Sequence, residues 1–216
     1  MQNVGRNKRS QIELKKRHLI SLLFCTSSSV LFITCKSQNN SKQEINSTKA
    51  ISINLPYSFK SAEAESLSIK AFDFSKEKKY STAIDLYHQA IRIEPDNPKL
   101  FFDISNCYEN VGNLIEALLM LDTAISLDKA NPNFYSNRGL IYWKLYKDSS
   151  AISDYQEAIK LDSSNWVVYA NLTIAYYTNN NMTKSCETLI AAKKWGLTTS
   201  SIDMDEHLKK IEDLCK

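Results

Sequence analysis

Apolar residues are distributed in three regimes along this chain. Residues 19–34 are uncharged and mostly apolar, residues 36–61 are rich in Ser, Asn, Lys and Gln, and beyond residue 63 apolar positions recur with i, i+3, i+4, i+7 spacing. The third regime is helical, and its pattern returns every 34 residues. Ala83, Ala117 and Ala151 form one row that Ser185 completes, and Ala90, Ala124, Ala158 and Ala192 form another. Phe74, Tyr108, Tyr142 and Tyr176 make a third, Ala71, Ser105, Gly139 and Thr173 a fourth, and Leu67, Phe101, Tyr135 and Tyr169 a fifth. Each period holds two amphipathic stretches. In the third period Tyr135, Gly139 and Tyr142 mark one helix face, and Ala151, Ile152, Tyr155, Ala158 and Ile159 mark the next. Small side chains let two helix backbones approach, and aromatic rings fill the space beside them. The pattern predicts an all-α chain with four helix-turn-helix units over residues 62–197.

Helix starts fall at the same period. Asn97-Pro98 and Asn131-Pro132 place a capping Asn before Pro at the first helical position, and Asn165-Trp166 keeps the cap. Pro95 stops the preceding helix. Gly196 suits a helix C-cap, and after it Met204, Leu208, Ile211 and Cys215 fall on one helical face. Residues 198–216 are therefore assigned to a capping segment with a helix over about 203–214, its Asp203, Asp205 and Glu206 at the end where the helix dipole favours them.

Composition removes most enzymatic readings. The four glycines, Gly5, Gly112, Gly139 and Gly196, are too far apart to form a phosphate-cradling loop. His18, His88 and His207 are isolated from one another, which removes the usual zinc spacings and predicts no metal and no cofactor. His88 and His207 read as surface or packing residues. The carboxylate pairs Asp85 with Glu94 and Asp203 with Asp205 read as solvated surface rather than an acid/base couple. A formal charge of +3 becomes −2 once residues 1–18 are set aside, so the basic footprint that nucleic acid requires is missing. No small-molecule substrate is implied.

The N-terminus carries its own chemistry. A basic stretch ending in Lys15-Lys16-Arg17-His18 runs into the apolar segment 19–34, a signal-peptide pattern. A bilayer-spanning helix needs about 20 apolar residues. At the end of the run, Leu31-Phe32-Ile33-Thr34-Cys35 resembles the lipobox of bacterial lipoproteins, which implies cleavage after residue 34 and lipidation of Cys35. A plain secretory signal and a single-span anchor are the alternatives. Residues 35–61 then read as a tether.

The 34-residue rows resemble the tetratricopeptide repeat, over residues 64–197. The resemblance implies a right-handed superhelical solenoid of four repeats whose first helices line a concave groove for partner peptides or proteins. Carried onto this sequence, the family's groove offsets select Phe72, Phe102, Asn106, Asn137, Leu140, Trp143, Lys144, Asn171, Ile174 and Tyr177, with Ile69 and Asp103 among the other offset residues. Trp143 and Tyr177 share one offset in successive repeats, so repeats 3 and 4 are expected to hold an extended, partly apolar peptide. The bland reading is that both rings pack against neighbouring helices. The offsets of the family's carboxylate clamp hold Ser68, Phe72, Asp103, Asn133 and Asn137, which suits an acidic C-terminus poorly.

Cys186 opens the last repeat's second helix and Cys215 closes the capping helix, so a disulfide between them is expected if the two pack antiparallel. Cys186 also occupies the register of Ile84, Leu118 and Ile152, where a small core residue would serve equally; Cys107 is expected to stay a free buried thiol. The whole plan resembles lipid-anchored tetratricopeptide lipoproteins of the Bacteroidetes. It implies a non-enzymatic scaffold, exported and held by an N-terminal lipid, on the periplasmic side of the outer membrane. The rivals are an inert spacer lipoprotein and a soluble cytoplasmic adaptor.

Overall fold

The computed structural model describes residues 57–198, 200 and 205–216. Cys35, the signal segment and most of the tether lie outside them. Phe59–Lys216 form one compact unit, and its helices alternate as the 34-residue rows require. They are α1 (Ala62–Lys76), α2 (Tyr80–Ile93), α3 (Pro98–Asn110), α4 (Leu114–Leu127), α5 (Pro132–Lys144), α6 (Asp148–Leu161), α7 (Trp166–Thr178), α8 (Met182–Lys194) and α9 (Glu206–Leu214). The architecture is an all-α repeat solenoid: α1 with α2, α3 with α4, α5 with α6 and α7 with α8 are the four repeats.

The caps explain the boundaries. Asn97, Asn131 and Asn165 accept from the backbone N–H of Lys99 (3.1 Å), Asn133 (2.9 Å) and Val167 (3.1 Å), one orphan donor satisfied at each start. Asp205 does the same for His207 (2.8 Å) and Leu208 (3.0 Å), so α9 begins three residues later than the apolar spacing alone places it.

Each first helix ends in one device. The residue at the fifteenth position of every repeat, Lys78, Gly112, Tyr146 or Asn180, is left-handed, with φ of 61°, 84°, 60° and 59°. The next N–H reaches back to the carbonyl of the aromatic row: Lys79 to Phe74, Asn113 to Tyr108, Lys147 to Tyr142 and Asn181 to Tyr176, all at 2.9 Å. This is the Schellman closure, which turns the chain tightly into the second helix. Only one of the four positions carries the glycine that the geometry prefers.

The small-residue rows lie where paired helices touch. Ala71, Ala83, Ala90, Ala117, Ala124, Ala151 and Ala158 are fully buried, and Gly139 sits against the buried Tyr155 ring. Between repeats, Ile84, Tyr87 and Ile91 of α2 pack with Leu100, Ile104 and Cys107 of α3. Polar bonds ride on the same joints. His88 Nε2 meets the Tyr108 hydroxyl at 2.9 Å, and Gln156 donates to the Tyr176 hydroxyl at 2.8 Å from the same offset two repeats on. Arg138 spans three helices, forked on Asp154 of α6 at 2.8 Å and bonded to Asp122 of α4 at 2.7 Å. On α1 the corresponding stacking face carries Ser66, Lys70 and Asp73, all exposed, in place of apolar side chains.

Two expectations need correcting. Glu94 is buried: its carboxylate accepts from the Ser61 N–H at 2.5 Å and from the Asn97 side chain at 3.2 Å, pinning the entry of α1 to the α2–α3 turn. It is a cap rather than a solvated charge. Asp205 is likewise buried in its capping role. The C-terminal joint is covalent, with Cys186 and Cys215 joined by a disulfide across 5.6 Å between Cα atoms, while Cys107 is free and buried.

Candidate peptide groove

The inner wall of a tetratricopeptide-type solenoid is built by the first helix of each repeat, here α1, α3, α5 and α7. Its polar side chains are largely tied to one another. Asn137 of α5 donates to Asn106 of α3 at 2.9 Å. Lys144 of α5 pairs with Glu109 of α3, and Lys99 pairs with Asp103 one turn along α3. The Asn137–Asn106 and Lys144–Glu109 contacts bridge neighbouring repeats, and the two ion pairs neutralise both lysines. Burial holds the Asp103 carboxyl above the usual value while the Lys99 ammonium pulls it down.

The aromatic pair expected in repeats 3 and 4 is largely covered in this structure. Trp143 is only 5% exposed and Ile174 only 4%, so both side chains are packed within the helical wall. Large apolar side chains gain most by leaving water, and both have packed neighbours on either side to enclose them. Tyr177 is half-buried, but His207 of α9 stands edge-on to its ring at 6.3 Å and Lys210 lies 5.7 Å from the ring centroid. Phe102 is half-buried and directed into the next repeat, its ring 5.2 Å from that of Phe134. Leu140 and Asn171 are half-buried on the wall.

Within the four first helices, large apolar side chains are exposed on α1, at Ile69 and Phe72, and on α7, at Val167; only α1 carries two together. Ile69 is 56% exposed and Phe72 44%, one helical turn apart on α1, with the Lys76 ammonium 4.3 Å from the Phe72 centroid. Of the apolar groove residues Phe72, Phe102, Leu140, Trp143, Ile174 and Tyr177, Phe72 is the exposed one, and Ile69 at another groove offset is exposed beside it. The signal that marks α1 was present: Ser66, Lys70 and Asp73 occupy its stacking face, and among the described residues it has a neighbouring repeat on one side only, so fewer of its side chains are enclosed. Among the described residues, no cluster of three or more His, Cys, Asp or Glu side chains is placed to hold a metal ion. No described helix is long and apolar enough to cross a membrane.

Comparison with known proteins agrees with this architecture. Models of the tetratricopeptide repeat match residues 75–138 and 132–165, so this stretch consists of tetratricopeptide repeats. The chain is similar to Hsp70-Hsp90 organizing protein 3 of Arabidopsis thaliana, 32% identical over 96 residues that make up 44% of this chain and 17% of that protein. It thus spans well under a quarter of that relative's length. Among solved structures, the first tetratricopeptide domain of Spaghetti (RPAP3), bound to the Hsp90 peptide SRMEEVD, is 25% identical at a TM-score of 0.54, covering 55% of this chain and 94% of that one. A tetratricopeptide repeat protein of Parabacteroides merdae shares the fold at a TM-score of 0.62 and 20% identity, covering 71% of this chain and 62% of that one.

Proposed function

We propose that this protein is a non-catalytic scaffold whose inner wall holds a neutral, partly apolar segment of a partner protein, anchored on Ile69 and Phe72. The observation that carries this reading is the pairing of charge with exposure along the wall. Lys99 and Lys144 are neutralised by Asp103 and Glu109, whereas Ile69 and Phe72 keep large apolar surface in water. An aromatic ring with few rotatable bonds is a typical binding hot spot. The solved Spaghetti domain holds the acidic peptide SRMEEVD. A wall whose lysines are already paired is poorly suited to such a ligand, so this chain's partner differs in charge.

Two labelled peptides test the reading, SRMEEVD itself and an uncharged analogue. The analogue is amidated at its C-terminus and acylated by the label at its N-terminus; Gln replaces the arginine and both glutamates, and Leu replaces the final aspartate. Fluorescence anisotropy is expected to show tighter binding of the uncharged peptide, weakened about tenfold or more by Phe72→Ala. Tighter binding of SRMEEVD, unaffected by that variant, would overturn it.

Export and lipid anchoring through Cys35 are part of the same proposal. They are supported by the order of basic, apolar and Cys residues over 1–35 and by a disulfide at the far end, since such bonds persist in oxidising compartments. Palmitate labelling of cells should mark the wild type and miss Cys35→Ser, which should move to the soluble fraction. A variant that resists carbonate extraction from the membrane would instead identify a spanning segment.

A further inference from the structure

The last repeat changes the chemistry of the face that receives a neighbour. Repeats 1, 2 and 3 present branched aliphatic pairs there, Ile84 with Ile91, Leu118 with Ile125 and Ile152 with Ile159. Repeat 4 presents Cys186 and Lys193 at the same two offsets. α9 answers both: Cys215 forms the disulfide with Cys186, and Glu212 pairs with Lys193 at 2.6 Å. At the offset where His88 and Gln156 bond across to the following repeat, the last repeat has Ile190, which is 70% exposed. α9 therefore fills only part of the slot that a full helix occupies elsewhere.

We propose that α9 is a redox-gated cap on the end of the groove. Its non-covalent hold is small. α9 has nine residues, below the length at which an isolated helix persists in water, and buries only Leu208 and Ile211 among its own side chains. The Lys193–Glu212 pair is partly exposed to solvent and adds little. The disulfide is the principal tie, and both of its cysteines are half-buried rather than sealed. A dithiol reductant attacks one sulfur, the other leaves as a thiolate and is protonated, and the mixed disulfide resolves to two protein thiols and an oxidised dithiol. Cys107 does not interfere, because burial pushes its thiol up to about 12 and leaves almost no thiolate to exchange. Once released, α9 withdraws His207 and Lys210 from the Tyr177 ring, so the inner wall gains an aromatic surface in repeat 4.

What that surface does for a ligand rests on the groove reading above, whereas the release of α9 does not, and the test therefore follows α9 itself. Hydrogen exchange of the full chain is compared before and after reduction by dithiothreitol, with alkylation and mass measurement confirming two new thiols. Amides of 209–214 are expected to lose protection about thirtyfold or more while those of α3 to α6 keep theirs. Tyr177 should become more reactive toward iodination. A double variant, Cys186→Ser with Cys215→Ser, should match the reduced protein. Retained protection in α9 after complete reduction would overturn the proposal. So would an equal loss in every repeat, since the bond would then hold the whole solenoid rather than its cap.

Discussion

A Cβ added at Gly139 would stand 2.9 Å from Cε1 of Tyr155 and 3.3 Å from the Ala151 carbonyl, so α5 and α6 meet at a distance that only glycine permits. Tyr155 is itself buried and cannot retreat. Alanine has the better helix propensity by about 1 kcal/mol, but overpacking costs about 1–3 kcal/mol and wins here. Gly139→Ala is expected to destabilise by up to about 2 kcal/mol, read as a lower denaturation midpoint in urea.

The turns offer the opposite test. Gly112 has φ of 84° and open space around it, so Gly112→Ala should cost about 1 kcal/mol through backbone strain alone. Lys78 holds the same conformation without being glycine, at φ of 61°. Lys78→Gly should stabilise by up to about 1 kcal/mol, because the relief of strain outweighs the added freedom of the unfolded chain. Thermal unfolding of both variants checks the pair, and equal signs would contradict the argument.

Trp143 and Phe72 separate wall from ligand site. Trp143→Ala should lose about 3–5 kcal/mol of stability, as buried aromatic truncations do. Phe72→Ala should leave the denaturation midpoint within about 0.5 kcal/mol of wild type, because its ring is exposed. A large stability loss from Phe72→Ala would place the ring in the core instead.

Asp103 gives a pH dependence of defined sign. Burial raises its carboxyl above the ordinary 3.8, so the folded chain holds that proton more tightly than the unfolded one. Its favourable contribution is complete below the ordinary value and is lost as pH rises through the raised one. Asp103→Asn, the residue already present at the same offset as Asn137 and Asn171, removes the dependence. Urea unfolding between about pH 3 and about pH 7 should show the variant gaining on wild type as pH rises. A constant difference across that range would contradict the assignment.

The helices were legible because each row of the sequence reports one physical requirement. Ala and Gly mark close backbone approach, Tyr and Phe mark the filling beside it, and Asn before Pro marks a start. The meeting of Cys186 with Cys215 was legible only on the condition that their helices pack antiparallel, and the core register of Cys186 left a second reading open until the structure joined them. Exposure along the inner wall was not legible in the same way. Trp143 and Ile174 occupy offsets that face a ligand in the family, yet neighbours that no single-repeat pattern encodes enclose them here. The Asn106–Asn137 bond joins different offsets of successive repeats, so row-by-row reading does not find it. Glu94 was misread for a related reason, because its partners Ser61 and Asn97 lie outside its own helix.

The recurring joint also bears on how such an array changes length. His88 meets Tyr108, and Gln156 meets Tyr176, from identical offsets, and the aliphatic pairs that receive each neighbour are similar in all three internal junctions. A duplicated copy of residues 132–165 would set Gln156 opposite a second Tyr142 and Ile152 with Ile159 beneath a second Ile141. The two outermost faces have no such freedom, since Lys70 and Asp73 meet water at one end and Cys186 is committed to Cys215 at the other. Growth by unequal recombination is therefore open in the middle of this molecule and chemically closed at its ends.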